Sequence, residues 1–270
     1  MSSGIKLAIN VSPDLTPRCR TLAIRSCAVR LVDDIDHCSA VLTDDSEIAA
    51  SALDAGTSVL VLNPFGLSED ICQRVDNLNA CMPAHTRRFQ PSVVQVKHAL
   101  DSGRLGDAGL LRIHCWNPDA ENTELFTGEV DLAVWMFGCM PNNVYSVHRP
   151  GYRQVHLGFD SGGMAIIDFD STNPGDNDYY SLSMIGSAGA AYADDHHNAN
   201  LLMDDSGTKT LLTSQYDAAF AAMIDHFARS AGDGKQFPVN WRDTIKANHL
   251  AGQAARSAEQ QNVVAGECNV

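Results

Sequence analysis

The sequence predicts an α/β fold, with a parallel sheet in its N-terminal part and a larger, open, mostly antiparallel sheet in the remainder. Two observations carry this prediction. Up to about residue 100, short apolar runs alternate with helical patterns, which is typical of βαβ units. From Leu110 onward, strand-like segments follow one another directly, divided by Gly or Asn turns. We therefore expect two domains, comprising residues 1–106 and 107–270.

The strands of the N-terminal part are short and strongly apolar. Helices separate them, with capping residues such as Ser46 at their start and glycines such as Gly56 at their end. Strands joined through helices run parallel, and the helices cover both sheet faces. The predicted strands are Ile5 to Val11, Cys38 to Thr43, Ser58 to Leu62 and Ala80 to Met82.

The second part combines several strand patterns with helical patterns at residues 129–137, 218–229 and 241–261. Alternation of apolar and polar residues is typical of an antiparallel sheet with one buried face. His114, His148 and His156 lie on these strands, where an imidazole is ordinarily a half-buried polar residue. The predicted strands are Leu110 to Trp116, Asn143 to His148, Gln154 to Phe159, Met164 to Phe169, Tyr179 to Ile185 and Ala190 to Ala193.

Composition argues against two classes of partner. The formal net charge of −14 repels a phosphate backbone and no basic stripe offsets it, so we expect no nucleic-acid partner. No stretch approaches the roughly 20 apolar residues of a membrane span. The N-terminus lacks a signal-peptide pattern, and the eight cysteines form no C-x-x-C pair, so we expect reduced thiols and a cytoplasmic location.

Five segments, in the same order, resemble the Gfo/Idh/MocA oxidoreductases. Ala40 to Pro64 is similar to the family's strand, helix ending in A-G, and strand ending in E-K-P. Arg87 to Pro91 resembles R-F-x-P, and Ser102 to Gly106 resembles S-G-x-I-G. Asp131 to Gly138 resembles the helix D-x-x-x-W-x-x-G, and Asp243 to Ser257 the closing helix. The resemblance implies a Rossmann-like domain, here truncated, and an NAD(P)-dependent oxidoreductase acting on a sugar or polyol.

The turn after the first strand departs from that family. Its members have G-x-G-x-x-G there, because only glycine lets the backbone approach a pyrophosphate. Here Asn10 to Pro17 contains no glycine and two prolines, and it places Asp14 near the diphosphate position. The resemblance offers Asp33 or Asp34 as the ribose-binding acid, although an Asp-Asp pair more commonly marks a surface turn. We therefore expect no cofactor, with NAD(P) as the alternative.

The proton-transfer groups are also missing from the matched positions. Asn63 stands where the family has its catalytic lysine, and Leu62 replaces the preceding glutamate. Gly128 stands at the histidine position, whereas Asp131 is retained. An amide has no proton to exchange near neutral pH, so the resemblance implies that catalysis is lost.

Candidate ligand-binding residues lie where ligands bind in open α/β sheets, at the carboxyl edge of the strands. His85 and Arg87 follow the strand ending near Met82, and the alternative is that they are a solvated loop residue and a surface ion-pair partner. The segment 194–197 contains two Asp and two His, but we interpret it as a polar turn and predict no metal site. The candidates are Asn63, Pro64, His85, Arg87 and Asp131.

The sequence leaves three functions open. The first is a non-catalytic homologue that binds a small sugar-like ligand or a partner. The second is a diverged NAD(P)-dependent oxidoreductase, and the third is a structural subunit of an active paralogous oxidoreductase. Because family relatives pack the C-terminal sheet against a copy, we expect a homo-oligomer, with Val155, Leu157 and Phe159 on the exposed sheet face.

Overall fold

The computed structural model describes residues 4–74, 78–116, 123–171, 179–194, 199–204, 207–212 and 215–266. These residues form a parallel sheet, a mixed sheet and a separate hairpin, so the predicted α/β class is confirmed. No described helix is long and apolar enough to cross a membrane. In chain order the elements are β1 Ile5–Asn10, α1 Thr16–Ala23, β2 Val29–Val32, β3 Ala40–Thr43, α2 Ser46–Asp54, β4 Ser58–Val61, α3 Pro64–Arg74, β5 Cys81–Pro83, a 3₁₀ turn Thr86–Phe89, α4 Pro91–Asp101, β6 Ala108–Trp116, α5 Thr123–Phe137, β7 Asn143–Arg149, β8 Tyr152–Gly158, β9 Met164–Asp170, β10 Tyr179–Gly186, β11 Ala190–Asp194, β12 Ala199–Asp204, β13 Gly207–Leu212, α6 Gln215–Asp233, α7 Trp241–Gln260 and β14 Val264–Ala265.

The chain divides into two compact units. The first comprises Met1–Gln90 with Tyr216–Ile245, and the second comprises Pro91–Gln215 with Lys246–Val270. The expected boundary at residue 106 assumed that each domain is one continuous stretch of chain. The apolar face of α6 instead packs in the core beneath β1, which places most of this late helix in the first unit.

The first unit is built on a parallel sheet with the order β2-β1-β3-β4-β5. Its central strands β3 and β4 are almost entirely buried, which is why they appear in the sequence as continuous apolar runs. The chain runs from β1 outward to β2 and then returns to β3 on the other side of β1. This reversal makes the crevice between β1 and β3 the topological switch point, where ligands bind in such sheets.

Strand β2 is absent from the sequence-based prediction, although the sheet contains it. Its four residues Val29–Val32 are half-buried or exposed and form the sheet edge, so they lack a strong apolar signal. The connection from β2 to β3 spans residues 33–39 and contains no helix. Relative to the full βα pattern, the chain has therefore lost a helix and kept the strand.

The second unit is built on a seven-stranded mixed sheet with the order β11-β10-β6-β9-β8-β7-β14. Only β6 and β9 run parallel among its described pairs. One face packs against the helices in a core that includes Ile113, Ile167 and Phe126. The separate hairpin β12–β13 is not predicted by the sequence patterns.

The residues predicted for the exposed sheet face lie on the other side of the sheet. Val155, Leu157 and Phe159 are buried in the core of the second unit. Alternation in β8 distinguishes two faces but does not say which one the helices cover. We call the uncovered side the open face. Its residues are Arg112, His114 and Trp116 on β6, Met164, Ile166, Asp168 and Asp170 on β9, Tyr152, Gln154 and His156 on β8, Tyr145 on β7, Tyr179 and Ile185 on β10 and Tyr192 on β11.

Candidate functional site

The crevice between β1 and β3 contains a contact between the loops that follow these strands. The backbone amide of Ser12 donates to both carboxylate oxygens of Asp44, at 3.2 and 3.1 Å. The parallel pairing of Asn10 with Thr43 brings these loops together. A carboxylate of this chain therefore lies against a backbone donor of the first βα turn.

Several other groups of this turn are also engaged or unable to donate. The amides of Leu15 and Thr16 donate to the Ser12 carbonyl, at 3.0 and 3.1 Å. Pro13 and Pro17 have no N–H, and the cap residue before α1 makes no side-chain capping hydrogen bond. Asp14, the carboxylate singled out from the sequence, is exposed. The missing glycines and the Asp44 contact together leave little room for an anion.

Asp33 and Asp34 lie directly after β2, at the carboxyl edge of the sheet. Both are exposed. Asp33 pairs with Arg20 of α1, and the hydrogen bond from His37, at 2.6 Å, lowers the pKa of Asp34. These contacts make both residues part of a charged surface, at a position where a ribose-binding acid is expected in this type of sheet.

Asn63 and Pro64 form the junction between β4 and α3. Asn63 is exposed and has a φ of 51°, a left-handed conformation that asparagine tolerates better than most residues. Its carbonyl accepts the amide of Leu67 at 3.2 Å, so it begins the first turn of the helix. Pro64 is buried at the first helical position, where its missing N–H costs nothing.

His85 is a buried residue and not the solvated loop residue of the alternative interpretation. Its Nε2 lies 2.8 Å from the hydroxyl of Thr244, and its ring centroid lies 4.8 Å from that of Phe65. Arg87, by contrast, is half-buried and donates to the side chain of Gln90 at 3.0 Å. The structure thus fixes both side chains within the first unit.

Arg88, which sequence reasoning did not distinguish from Arg87, is the buried member of the pair. Its side chain is 6% exposed and its guanidinium lies 3.0 Å from the carboxylate of Asp243 in the first turn of α7. The R-F-x-P resemblance therefore includes an arginine that stabilises the first unit. No local signal identifies it, because its partner lies 155 residues away.

Gly128 and Asp131 lie on α5 in the second unit. Asp131 is 2% exposed and Gly128 is half-buried. Neighbouring Glu129 is also buried and accepts a hydrogen bond from the hydroxyl of Tyr180 at 3.1 Å. The structure places Asn63, His85 and Arg87 in the first unit and these helix residues in the second.

The open face contains a cluster of polar side chains around one carboxylate, which the sequence patterns do not predict. Asp168 is only 6% exposed, although it lies on the uncovered side of the sheet. It accepts hydrogen bonds from Tyr152 and Gln154, and its other oxygen lies 3.3 Å from Nδ1 of His114 and 3.7 Å from Arg112. The five residues lie on strands β6, β8 and β9, and only the sheet register brings them together.

The described part of the chain shows no cluster of metal-binding side chains, and two of its buried thiols resist ionisation. It contains no group of three or more His, Cys, Asp and Glu residues able to hold a metal ion. Most of the 194–197 turn lies outside the described residues. Burial raises the pKa of Cys19 to about 11 and that of Cys81 to about 12, so neither thiol is ionised near neutral pH.

Comparison with known proteins supports the resemblance read from the sequence motifs. No protein-family model matches the chain. Inositol 2-dehydrogenase 2 of Saccharopolyspora erythraea is 31% identical over 126 residues, covering 40% of this chain and 37% of that protein. The uncharacterized oxidoreductase YrbE of Bacillus subtilis is 24% identical over 204 residues, covering 64% and 58%. The chain thus matches less than two thirds of the length of either relative.

Solved structures match nearly the whole chain. A myo-inositol dehydrogenase from Corynebacterium glutamicum superposes with a TM-score of 0.81 at 15% identity, covering 98% of this chain and 99% of that one. A scyllo-inositol dehydrogenase from Lactobacillus casei, solved with NAD(H) and scyllo-inositol, gives 0.74 at 16% identity, covering 97% and 99%. At this identity the likeness establishes the fold, and the expected resemblance is confirmed.

Proposed function

We propose that this chain, which has the fold of the Gfo/Idh/MocA inositol dehydrogenases, no longer carries out dinucleotide-dependent hydride transfer. Instead, it binds a small sugar-like ligand or a partner protein. The proposal combines the fold with the chemistry of the crevice between β1 and β3. Asn63 and Gly128 also support it, because neither residue supplies a general acid at the matched positions.

The contact between Asp44 and the Ser12 amide carries the proposal. A diphosphate needs backbone donors and a close approach to the helix N-terminus, and both are obstructed here. Asp44 occupies the donor and places a like charge against any phosphate. The prolines of the turn supply no replacement N–H. The residues present therefore do not fit a nicotinamide dinucleotide.

A second candidate function is a diverged NAD(P)-dependent oxidoreductase. The observation that favours it is the position of Asp33, which follows β2 at the sheet edge next to β1. An acid at this position binds the ribose hydroxyls in dinucleotide-binding sheets. Asp33 is already paired with Arg20, so this candidate requires that pair to open.

We further propose that the chain self-associates through the open face. Nine large hydrophobic residues among the described ones are prominently exposed, and five of them lie on this face. A concentration of that kind is typical of interaction surfaces and supports the proposal. The five residues are Trp116, Tyr145, Met164, Ile185 and Tyr192.

A hydride-transfer assay tests the proposed loss of catalysis. We expect no turnover of myo-inositol, scyllo-inositol or glucose with NAD⁺ or NADP⁺. The double variant Asn63→Lys with Gly128→His should stay inactive, because orientation of reactants supplies roughly 7 to 11 kcal/mol that a restored acid cannot replace. Circular dichroism serves as the folding control, since lysine at the left-handed position costs about 1 kcal/mol. Reproducible turnover by the parent chain would favour the oxidoreductase.

A further inference from the structure

The centre of the open face is polar, whereas the large side chains exposed around it are apolar. Arg112 and His114 project from β6 beside Asp168 of β9, and Gln154 of β8 completes the group. His114 is 24% exposed and Arg112 is 53% exposed. Any molecule that covers the open face will therefore remove water from an imidazole flanked by a guanidinium and a carboxylate.

A second copy of this chain is the occupant that suits this surface. The open face carries the exposed guanidinium of Arg112 and the half-buried carboxylate of Asp170, so two copies related by a two-fold axis can oppose unlike charges. The surrounding exposed residues Trp116, Met164 and Tyr192 supply the apolar area that such a contact buries. A nucleic acid or another anionic surface would instead meet the carboxylate of Asp170 on the same face.

The surroundings of His114 disfavour its charged form already in the single chain. Burial is the largest cause of its lowered pKa, and the Arg112 guanidinium adds to it. Asp168 acts in the opposite direction but is the smallest of the three contributions. Its carboxylate is shared with Gln154 and Tyr152, which limits the stabilisation that it offers a protonated imidazole.

We propose that protonation of His114 dissociates the assembly formed through the open face, which makes self-association dependent on pH. This inference rests on the proposed self-association. Covering the face lowers the proton affinity of His114 further, because the charged imidazole loses its remaining water next to Arg112. Association is therefore strongest where His114 is neutral, and it is lost as the pH falls through the pKa of His114 in the single chain, which lies below the ordinary imidazole value of 6.5.

Other titratable and charged groups share this face and contribute to its charge over the same pH range. Asp168 and Asp170 face His114 from β9, Tyr152 and His156 from β8, and Tyr179 from β10, while Arg112 lies on the same strand. His156 differs from His114 because its Nε2 bonds to the Gln154 side chain at 2.8 Å and its sheet neighbours are Ile166 and Tyr145. It therefore offers a matched control.

Sedimentation velocity of the full chain at about pH 8 and about pH 5.5 tests the proposal. The parent should be assembled at the higher pH, and its apparent dissociation constant should rise at least about tenfold at the lower pH. His114→Gln should remain assembled at both values, whereas His114→Lys, which keeps a charge, should be monomeric at both. His156→Gln should retain the parent's transition.

Each alternative result has a distinct meaning. Equal assembly of the parent at both pH values, or a parent-like transition in His114→Gln, overturns the role of His114 and leaves self-association standing. A parent that is monomeric at about pH 8 overturns the proposed self-association itself. Loss of circular dichroism together with dissociation assigns the transition to unfolding and also overturns the inference.

Discussion

Single residues in the first unit divide into those that the sequence identifies and those that only the fold explains. The missing glycines between Asn10 and Pro17 are visible in the sequence, and they already predict a poor dinucleotide site. The carboxylate that contacts the backbone of this turn is Asp44 and not Asp14. No local sequence pattern indicates this contact. Asp44 lies 32 residues from Ser12 and reaches it only through parallel strand pairing.

Stability measurements distinguish these two aspartates. Asp44→Ala should lower the free energy of unfolding by about 1 kcal/mol, because it removes the acceptor of the Ser12 amide. Asp14→Ala, an exposed change in the same turn, should alter it by less than about 0.5 kcal/mol. Urea denaturation of both variants measures the difference. Equal effects would contradict a specific role for the Asp44 contact.

At the scale of helices and strands, periodicity and caps predict most of the elements. Asp45 accepts the amides of Glu47 and Ile48 and so fixes the start of α2, next to the predicted cap at Ser46. Contacts between distant elements escape this reasoning. The 3₁₀ turn is joined to α7 within the first unit by Arg88 and Asp243, and neither end of this pair carries a sequence signal.

The two adjacent arginines of the 3₁₀ turn test this contact between elements. Arg88→Ala should lower the free energy of unfolding by about 3 kcal/mol, because it leaves the largely buried pair incomplete. Arg87→Ala, which loses a hydrogen bond to Gln90, should cost about 1 kcal/mol. Thermal or urea unfolding measures both. A larger loss for Arg87→Ala would show that the buried ion pair is not the stabilising contact.

For the whole molecule, motifs that occur in the family's order predict the fold class. They predict neither how the chain divides into two units nor which face of the second sheet is exposed. The return of α6 to the first unit depends on packing of Phe220, Ile224 and Phe227, which the sequence shows only as a helical apolar stripe. Similarly, the alternation of β8 fits either orientation of the strand. The helices determine which face is buried, because they cover Val155 and Leu157.

Single substitutions on exposed side chains test self-association through the open face. Met164→Asp places a charge on the open face, where the parent side chain is 42% exposed, and should yield a monomer in light scattering at micromolar concentration. Ile24→Asp is a control in the first unit, at a side chain that is 68% exposed, and should leave the mass unchanged. A parent chain of monomer mass would contradict the proposed interface.

Isothermal titration calorimetry of the purified chain with NADH and with NADPH tests whether the crevice between β1 and β3 accepts a dinucleotide. Because Asp44 occupies the Ser12 amide and the turn contains no glycine, we expect no saturable binding at low-micromolar concentrations. Low-micromolar or tighter affinity for either dinucleotide would contradict the proposed loss of dinucleotide binding, since it would require the crevice between β1 and β3 to accept a diphosphate.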